Sequence, residues 1–292
     1  MEALLIGVMI LLYTAQSLLC RKYAECYPGK PELASPVFTI VSGLIVAFVS
    51  VALRGFVLHV QSPTVLLGLA NALVLFGYNI CLIRASQTGP YSILMVFSIA
   101  GGILIPTAAA TVFFRDRLSL PRLAAILVIL LAVFLISRRP GERAGGRRGF
   151  LFLCAGLGIC NGLYGTLLDV QQRVTGVEEK EMMVALTYFA AACLAAGFLT
   201  FRTSGKPGGA MRQTPRSLFW MLVCSVTVAA AIHVLALLIS AVDVSVLYTF
   251  DNAGVFCLSV IASCVFFRER LTKGNLIGCI LMCAALVCVS LF

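Results

Sequence analysis

Two ionisable side chains lie inside apolar sequence, where they could do chemistry. Asp251 is the one carboxylate within the apolar stretches of the chain, and His233 lies in the stretch before it. A charge inside a membrane costs at least ~2.5 kcal/mol on insertion scales, so such residues are functional hypotheses by default. We expect Asp251 to bind a coupling proton or a substrate cation, and His233 to tune that balance near neutral pH. The alternative is a structural carboxyl group, hydrogen-bonded to Asn252 or Tyr248.

The spacing of these two residues predicts that they pair. His233 lies seven residues before the end of its apolar stretch, and Asp251 lies seven residues after the start of the next one. At 1.5 Å per residue, each would sit about 10 Å deep on consecutive antiparallel helices. Equal depth permits a lateral contact, which would be either a titratable pair or a static hydrogen bond that holds the two helices together.

Polar side chains recur at close spacing in three of the apolar stretches. A spacing of three residues places side chains on one side of a helix. Each set would therefore face an internal cavity or a neighbouring helix, where single polar groups act as interhelical glue worth ~0.6–2 kcal/mol. The sets are Tyr13 with Gln16, Asn161 with Tyr164, and Tyr248 with Asp251 and Asn252.

The composition identifies the elements that must position these residues. The chain is 61% hydrophobic and 12% charged with a mean hydropathy of +1.03, whereas a soluble domain carries about 25% charged residues. Its apolar runs approach the ~20 residues that cross a bilayer, and they are continuous rather than alternating, which predicts helices and not a β-barrel. Ten runs are predicted as transmembrane helices: 3–19, 36–53, 64–83, 91–114, 123–137, 150–168, 183–201, 219–240, 244–267 and 275–292.

One segment of the chain occurs twice. Residues 91–119 align without a gap to residues 244–272, at an offset of 153, and 12 of the 29 positions are identical. We expect five helices in a first repeat (1–137), a basic Gly/Pro linker (138–149) and five helices in a second repeat (150–292). Because five is odd, the second copy would enter the membrane from the opposite face, as in many transporters built from inverted repeats.

The distribution of basic residues predicts the orientation. Of the 22 Lys and Arg residues, 16 lie in the odd-numbered loops (1–2, 3–4, 5–6, 7–8 and 9–10) and six in the even-numbered ones. By the positive-inside rule the odd-numbered loops would be cytoplasmic, which places both termini outside.

The ends of the repeated segments carry a family resemblance. Each half closes its fourth helix with Phe-Phe-Arg-acid-Arg-Leu, at 113–118 and 266–271, and the second copy continues to Thr272 with Gly278 six residues later. With two five-helix halves, this layout resembles the EamA-like members of the drug/metabolite transporter superfamily over the whole chain. The first half departs from the pattern, with Asp116 in place of Glu and Ala125 in place of the glycine.

The resemblance implies a fold, an orientation and a site. EamA-like proteins have a central cavity lined by the first, third, fourth, sixth, eighth and ninth helices, which implies that Asn79, Ser98 and His233 also face substrate. It also implies cytoplasmic termini, contrary to the charge distribution. The Phe-Phe-Arg turns themselves suit helix ends at the headgroup boundary and are left out of the binding site.

These observations favour a secondary transporter, expected to work as an exporter, rather than an enzyme. With no ATP-binding motif, an ion gradient or the solute gradient must drive it, and no cofactor is expected. A core without basic residues favours a neutral, zwitterionic or amine-bearing metabolite or drug moved by alternating access, with a possible coupling proton. The alternatives are a lipid-linked flippase or a membrane-complex subunit, and, third, an intramembrane enzyme.

The interpretation as a membrane transporter also predicts the partners and the location of the protein. They are a small-molecule substrate and the lipid bilayer, but no nucleic acid, because the basic residues lie in short loops with no soluble domain to present them. The protein is expected to be a monomer or homodimer, integral to a bacterial plasma membrane.

Overall fold

The computed structural model describes residues 2–57, 59–113, 120–137, 144–239, 244–268 and 272–291. This part of the chain is helical, with eleven α-helices, a 3₁₀ turn at Val177–Glu179 and no strand. The helices are α1 (Glu2–Cys26), α2 (Pro31–Leu53), α3 (Ser62–Thr88), α4 (Tyr91–Phe113), α5 (Leu120–Ser137), α6 (Ala144–Thr175), α7 (Lys180–Arg202), α8 (Gly208–Met211), α9 (Pro215–Ile239), α10 (Val244–Phe266) and α11 (Lys273–Leu291).

Local sequence explains several helix ends. Proline stands in the first turn of α2 (Pro31), α3 (Pro63) and α9 (Pro215), where its missing N–H costs no intrahelical hydrogen bond. The end of α7 reverses at Gly205, whose φ of 78° is in the left-handed region and whose N–H donates to the Thr200 carbonyl oxygen at 2.9 Å. Glycine suits this position because it has no Cβ to clash there.

Seven of the described helices are long and apolar enough to cross a membrane, by length and composition. They are Ala3–Cys26, Pro31–Leu53, Ser62–Thr88, Tyr91–Ala109, Arg148–Thr175, Lys180–Arg202 and Pro215–Leu235. Three further apolar helices are shorter in the described residues, at Leu123–Ile136, Asp251–Phe266 and Lys273–Cys288. The described residues are therefore consistent with the predicted polytopic helical membrane protein. Seven long apolar helices are compatible with an integral membrane protein.

Packing in the described bundle joins helices that are distant in the sequence. The α2 helix packs on α7, α5 on α11, and α4 on both α6 and α10. The α1 helix packs on α9 and α10, while α3 packs on α6 and α7 and α2 packs also on α9. These contacts bring α1, α3, α4, α6, α9 and α10 together in one bundle.

Two predicted boundaries differ from the structure around α6. This helix begins at Ala144, so the second half of the proposed linker is helical, and the described residues do not include 138–143. The helix also continues to Thr175 and includes Asp169. Asp251 remains the one carboxylate within the predicted apolar stretches, but the helices extend beyond those stretches and there carry further acids, including Glu25, Glu32, Asp169 and Glu181. Asp169 is half-exposed near the end of α6, where its Oδ2 lies 3.0 Å from Arg173 Nε.

Candidate functional site

A cavity of about 180 Å³ lies among the middle segments of the helices. This volume has room for on the order of six water molecules at ~30 Å³ each. Seven helices line it: α1 with Tyr13, Gln16 and Ser17; α3 with Leu75 and Tyr78; α4 with Met95, Ser98, Ile99 and Gly102; α6 with Asn161, Tyr164, Gly165 and Leu168; α7 with Tyr188; α9 with Ile232 and Leu235; and α10 with Asp251, Asn252 and Val255.

The structure brings most of the predicted site residues to this one cavity. All six helices that the family resemblance implied contribute to the wall, and α7 joins them. The Asn161 side chain is fixed across the α4–α6 contact, because its Nδ2 donates to the Ser98 backbone carbonyl at 2.9 Å. The predicted residues on the wall are Tyr13, Gln16, Ser98, Asn161, Tyr164, Asp251 and Asn252.

Three predicted residues are not placed on the described wall. Asn79 is buried and its Nδ2 donates to Thr39 Oγ1 at 3.1 Å, so it links α3 to α2 as interhelical glue. The Nδ1 atom of His233 lies 2.7 Å from the carbonyl oxygen of Ala229 on its own helix. The side chain of Tyr248 lies outside the described residues.

The predicted pairing of His233 with Asp251 is not found. Neither side chain hydrogen-bonds the other in the described structure, and the α9 wall of the cavity is formed by Ile232 and Leu235 instead. Seven-residue spacing sets the depth of a side chain but not its direction around the helix axis. One residue along a helix turns the side chain by about 100°, which carries His233 off the face that Ile232 presents to the cavity.

Sequence reasoning missed three polar wall residues, Ser17, Tyr78 and Tyr188. Ser17 directly follows Gln16, which also lines the cavity, whereas on α3 Tyr78 lines it in place of its predicted neighbour Asn79. Tyr188 lies on α7, and neither the spacing of polar residues nor the family resemblance predicts that this helix lines the cavity.

The wall residues of α4 and α10 occupy equivalent positions in the repeated segment. At the offset of 153, Ser98 aligns with Asp251, Ile99 with Asn252, and Gly102 with Val255. All six of these residues line the cavity. The two copies of the segment therefore present the same face to the same space, but only the second copy places an acid there.

Two buried acceptor atoms of wall residues have no hydrogen-bond donor in the described structure. They are the Oδ1 of Asp251 and the Oε1 of Gln16. A buried acceptor atom without a donor is costly, because no hydrogen bond replaces the one it would make to water. Among the described wall residues no Lys, Arg or His balances Asp251. The site is therefore a largely apolar chamber with a single acid and no described basic side chain on its wall.

A cluster of interactions lies where α1 and α10 finish and α4 begins, here called the Tyr91 end. The hydroxyl groups of Ser17 and Tyr91 are hydrogen-bonded. The guanidinium carbon of Arg21 lies 3.8 Å from the centroid of the Phe267 ring, which is 5.5 Å from the centroid of the Tyr91 ring. Tyr91 is fully buried. This Tyr91 cluster, made of Ser17, Arg21, Tyr91 and Phe267, joins α1, α4 and the end of α10 next to the cavity wall at Ser17.

Glycine allows two wall helices to touch. A Cβ atom on Gly101 would overlap the carbonyl of Gly158, and one on Gly162 would overlap the carbonyl oxygen of Gly101. The α4 and α6 backbones are thus in direct contact, as at interfaces of small residues in membranes. At the equivalent position of the second repeat, a Cβ on Gly254 would lie 2.5 Å from the Cδ1 atom of Ile10. The contact between α10 and α1 therefore includes a flexible side chain.

An acid ties the connection between α6 and α7 to the start of α3. The carboxylate of Glu179 is buried and accepts the backbone N–H of Gln61 at 3.1 Å and the hydroxyl group of Thr64. The Thr64 hydroxyl also lies 3.0 Å from the Thr175 hydroxyl at the end of α6. A negative charge at a helix N-terminus is favourable, so this contact stabilises the start of α3.

Comparison with known proteins supports the fold and does not identify a function. No protein-family model matches the chain, and no curated protein matches it. A solved structure described only as "Crystal structure of protein" is similar over 99% of this chain and 97% of its own, with a TM-score of 0.66 and 18% sequence identity. At that identity the likeness concerns the fold alone.

Proposed function

We propose that this protein is a secondary transporter that moves a small neutral, zwitterionic or amine-bearing solute across a membrane by alternating access. The observation that carries the proposal is the cavity in the middle of the bundle, with polar groups from several helices and one acid. The wall residues on α1, α4, α6 and α10 lie well inside their helices, which is where transporters bind substrate. In this proposal the chain has ten membrane helices in two inverted repeats and belongs with the EamA-like transporters.

The arrangement of helix contacts supports an inverted repeat. Exchanging the halves replaces α1 with α6, α2 with α7, α3 with α9, α4 with α10 and α5 with α11. The α4–α6 contact then becomes α10–α1, α3–α6 becomes α9–α1, and α3–α7 becomes α9–α2, and all of these contacts exist. The pairs α2–α7, α4–α10 and α5–α11 map onto themselves. A two-fold axis in the membrane plane would produce this pattern.

Alternating access needs a barrier that can form at one end and open. The Tyr91 cluster is suited to that role, because its members come from three different helices and lie beside the cavity. It is held by a hydrogen bond and by ring contacts, each worth about 0.5–2 kcal/mol, so opening it is within reach of substrate binding energy.

Uptake by proteoliposomes tests the function. The protein is reconstituted and exposed to radiolabelled amino acids, amines and neutral solutes, with and without a pH gradient. We expect uptake of at least one class above that of protein-free liposomes. Asp251→Asn keeps the shape but removes the charge and should abolish gradient-driven uptake, whereas the matched Asp169→Asn control at the exposed end of α6 should behave as wild type. No uptake of any solute would contradict the proposal.

The same liposomes distinguish the second candidate function. A flippase would move a fluorescent lipid between leaflets, and that movement would not respond to Asp251→Asn unless the headgroup carried a cation. Lipid movement without uptake of any soluble compound would favour the flippase.

A further inference from the structure

The charge of the wall restricts what the cavity can hold. Asp251 is the one acid on the described wall, and no basic side chain accompanies it there. A ligand with a net negative charge would face repulsion without compensation, and a zwitterion would leave its carboxylate without a cationic partner. A ligand with a single positive charge would satisfy Asp251 and leave no charge unpaired.

The unpartnered acceptors specify the form of that cation. Asp251 Oδ1 and Gln16 Oε1 are buried without donors, and both residues line the cavity. The terminal torsions of Asp and Gln are soft, so the carboxylate and the amide can turn an oxygen towards a ligand. An acceptor is satisfied by a hydrogen-bond donor, which a primary or secondary ammonium group supplies and a quaternary ammonium group does not.

The rest of the wall specifies the body of the ligand. Four tyrosines, Tyr13, Tyr78, Tyr164 and Tyr188, line the cavity together with aliphatic side chains. Aromatic rings offer apolar contact to a hydrocarbon body and a negative face to a cation. The volume of about 180 Å³ is below the ~300–1,000 Å³ of sites for drug-sized ligands. The ligand is therefore small.

We propose that the cavity binds a small primary or secondary organic amine in its ammonium form, whose N–H groups donate to Asp251 and Gln16 and whose apolar body packs among the four tyrosines. The transport of this amine rests on the proposed function, whereas its binding does not. Binding itself can be measured separately, so the two proposals can fail independently.

Four matched probes test the chemistry of the ligand by calorimetric titration of the purified, detergent-solubilised protein. They are 2-phenylethylamine, its alcohol 2-phenylethanol, the zwitterion phenylalanine and the trimethylammonium analogue of the amine. A charge-assisted hydrogen bond predicts that the amine binds about tenfold to a hundredfold more tightly than each of the other three. Equal binding of the trimethylammonium compound would overturn the role of the acceptors, and equal binding of phenylalanine would overturn the selection for a single positive charge.

Two substitutions test whether Asp251 and Gln16 contact the bound ammonium group. Asp251→Asn and Gln16→Leu should each weaken 2-phenylethylamine binding about tenfold or more, while the Asp169→Asn control binds as wild type. Gln16→Leu keeps the test decisive if Asp251→Asn does not fold, because it leaves the acid in place. Unchanged amine affinity in both variants, or no binding of any probe, would overturn the inference. Transport of amino acids or neutral solutes in the uptake assay would leave the proposed function standing.

Discussion

Phe267→Leu is expected to weaken the barrier at the Tyr91 end. Leucine keeps an apolar side chain but removes the ring that lies 3.8 Å from the Arg21 guanidinium carbon and 5.5 Å, between centroids, from Tyr91. The first contact is worth about 0.5–2 kcal/mol and the second about 0.5–1.5 kcal/mol. Together the two contacts are worth about 1–3.5 kcal/mol, and a loss in the middle of that range, about 1.4–2.8 kcal/mol, raises the ratio of open to closed protein about tenfold to a hundredfold.

The native Cys20 reports on this opening. It is 1% exposed and precedes Arg21 on α1, so a maleimide reaches it only when the helices around this part of α1 separate, as opening of the Tyr91 end requires. Its modification rate, measured by peptide mass spectrometry, should rise in Phe267→Leu by the same tenfold to hundredfold factor when opening is fast compared with labelling. Phe48→Leu is the control, because Phe48 is 66% exposed and contacts Phe56 away from the cluster. An unchanged rate in Phe267→Leu, or an equal rise in Phe48→Leu, would refute this account of the barrier.

Three further predictions concern packing, a helix end and orientation. Gly101→Ala should destabilise the protein by about 1–3 kcal/mol because the new Cβ meets the Gly158 carbonyl, whereas Gly197→Ala, with open space around it, should not lower the melting temperature. Glu179→Gln should speed hydrogen exchange at the start of α3, since a charged acceptor is lost; unchanged exchange would contradict that role. If the odd-numbered loops are cytoplasmic, Cys26 should react with an impermeant maleimide in inverted vesicles but not in intact cells, and the reverse result would invert the topology.

The helices were predictable because membrane helices are specified by long apolar runs, which a sequence displays directly. Each predicted run coincides with one helix of the described structure, although α1, α3, α6 and α7 extend beyond their runs at both ends, and α6 does so furthest. The extension was missed because Asp169 and Arg173 lower the local hydropathy, while their ion pair lets the helix continue. Which helices pack together was not readable from hydropathy, since lipid-facing and protein-facing residues are equally apolar.

The site was partly predictable for a similar reason. Polar residues are scarce in membrane helices, so Asn161 and Asp251 stood out, and the cavity collects both. Rotation about the helix axis was not predictable at the level of one residue, which is why Tyr78 lines the cavity while Asn79 binds Thr39. The contact of Arg21 with Phe267 joins residues far apart in the chain, and no local pattern in either segment indicates it.

Blocking the cavity covalently tests the central claim, that solutes cross through this space. Ser98 lines the cavity on α4, at the position of the first repeat that is equivalent to Asp251, so Ser98→Cys places a thiol on the cavity wall. Treatment with a small methanethiosulfonate should stop uptake by this variant, and a transported solute should slow the modification, whereas the same treatment of the wild type controls for the native cysteines. Full uptake by quantitatively modified Ser98→Cys protein would contradict the claim.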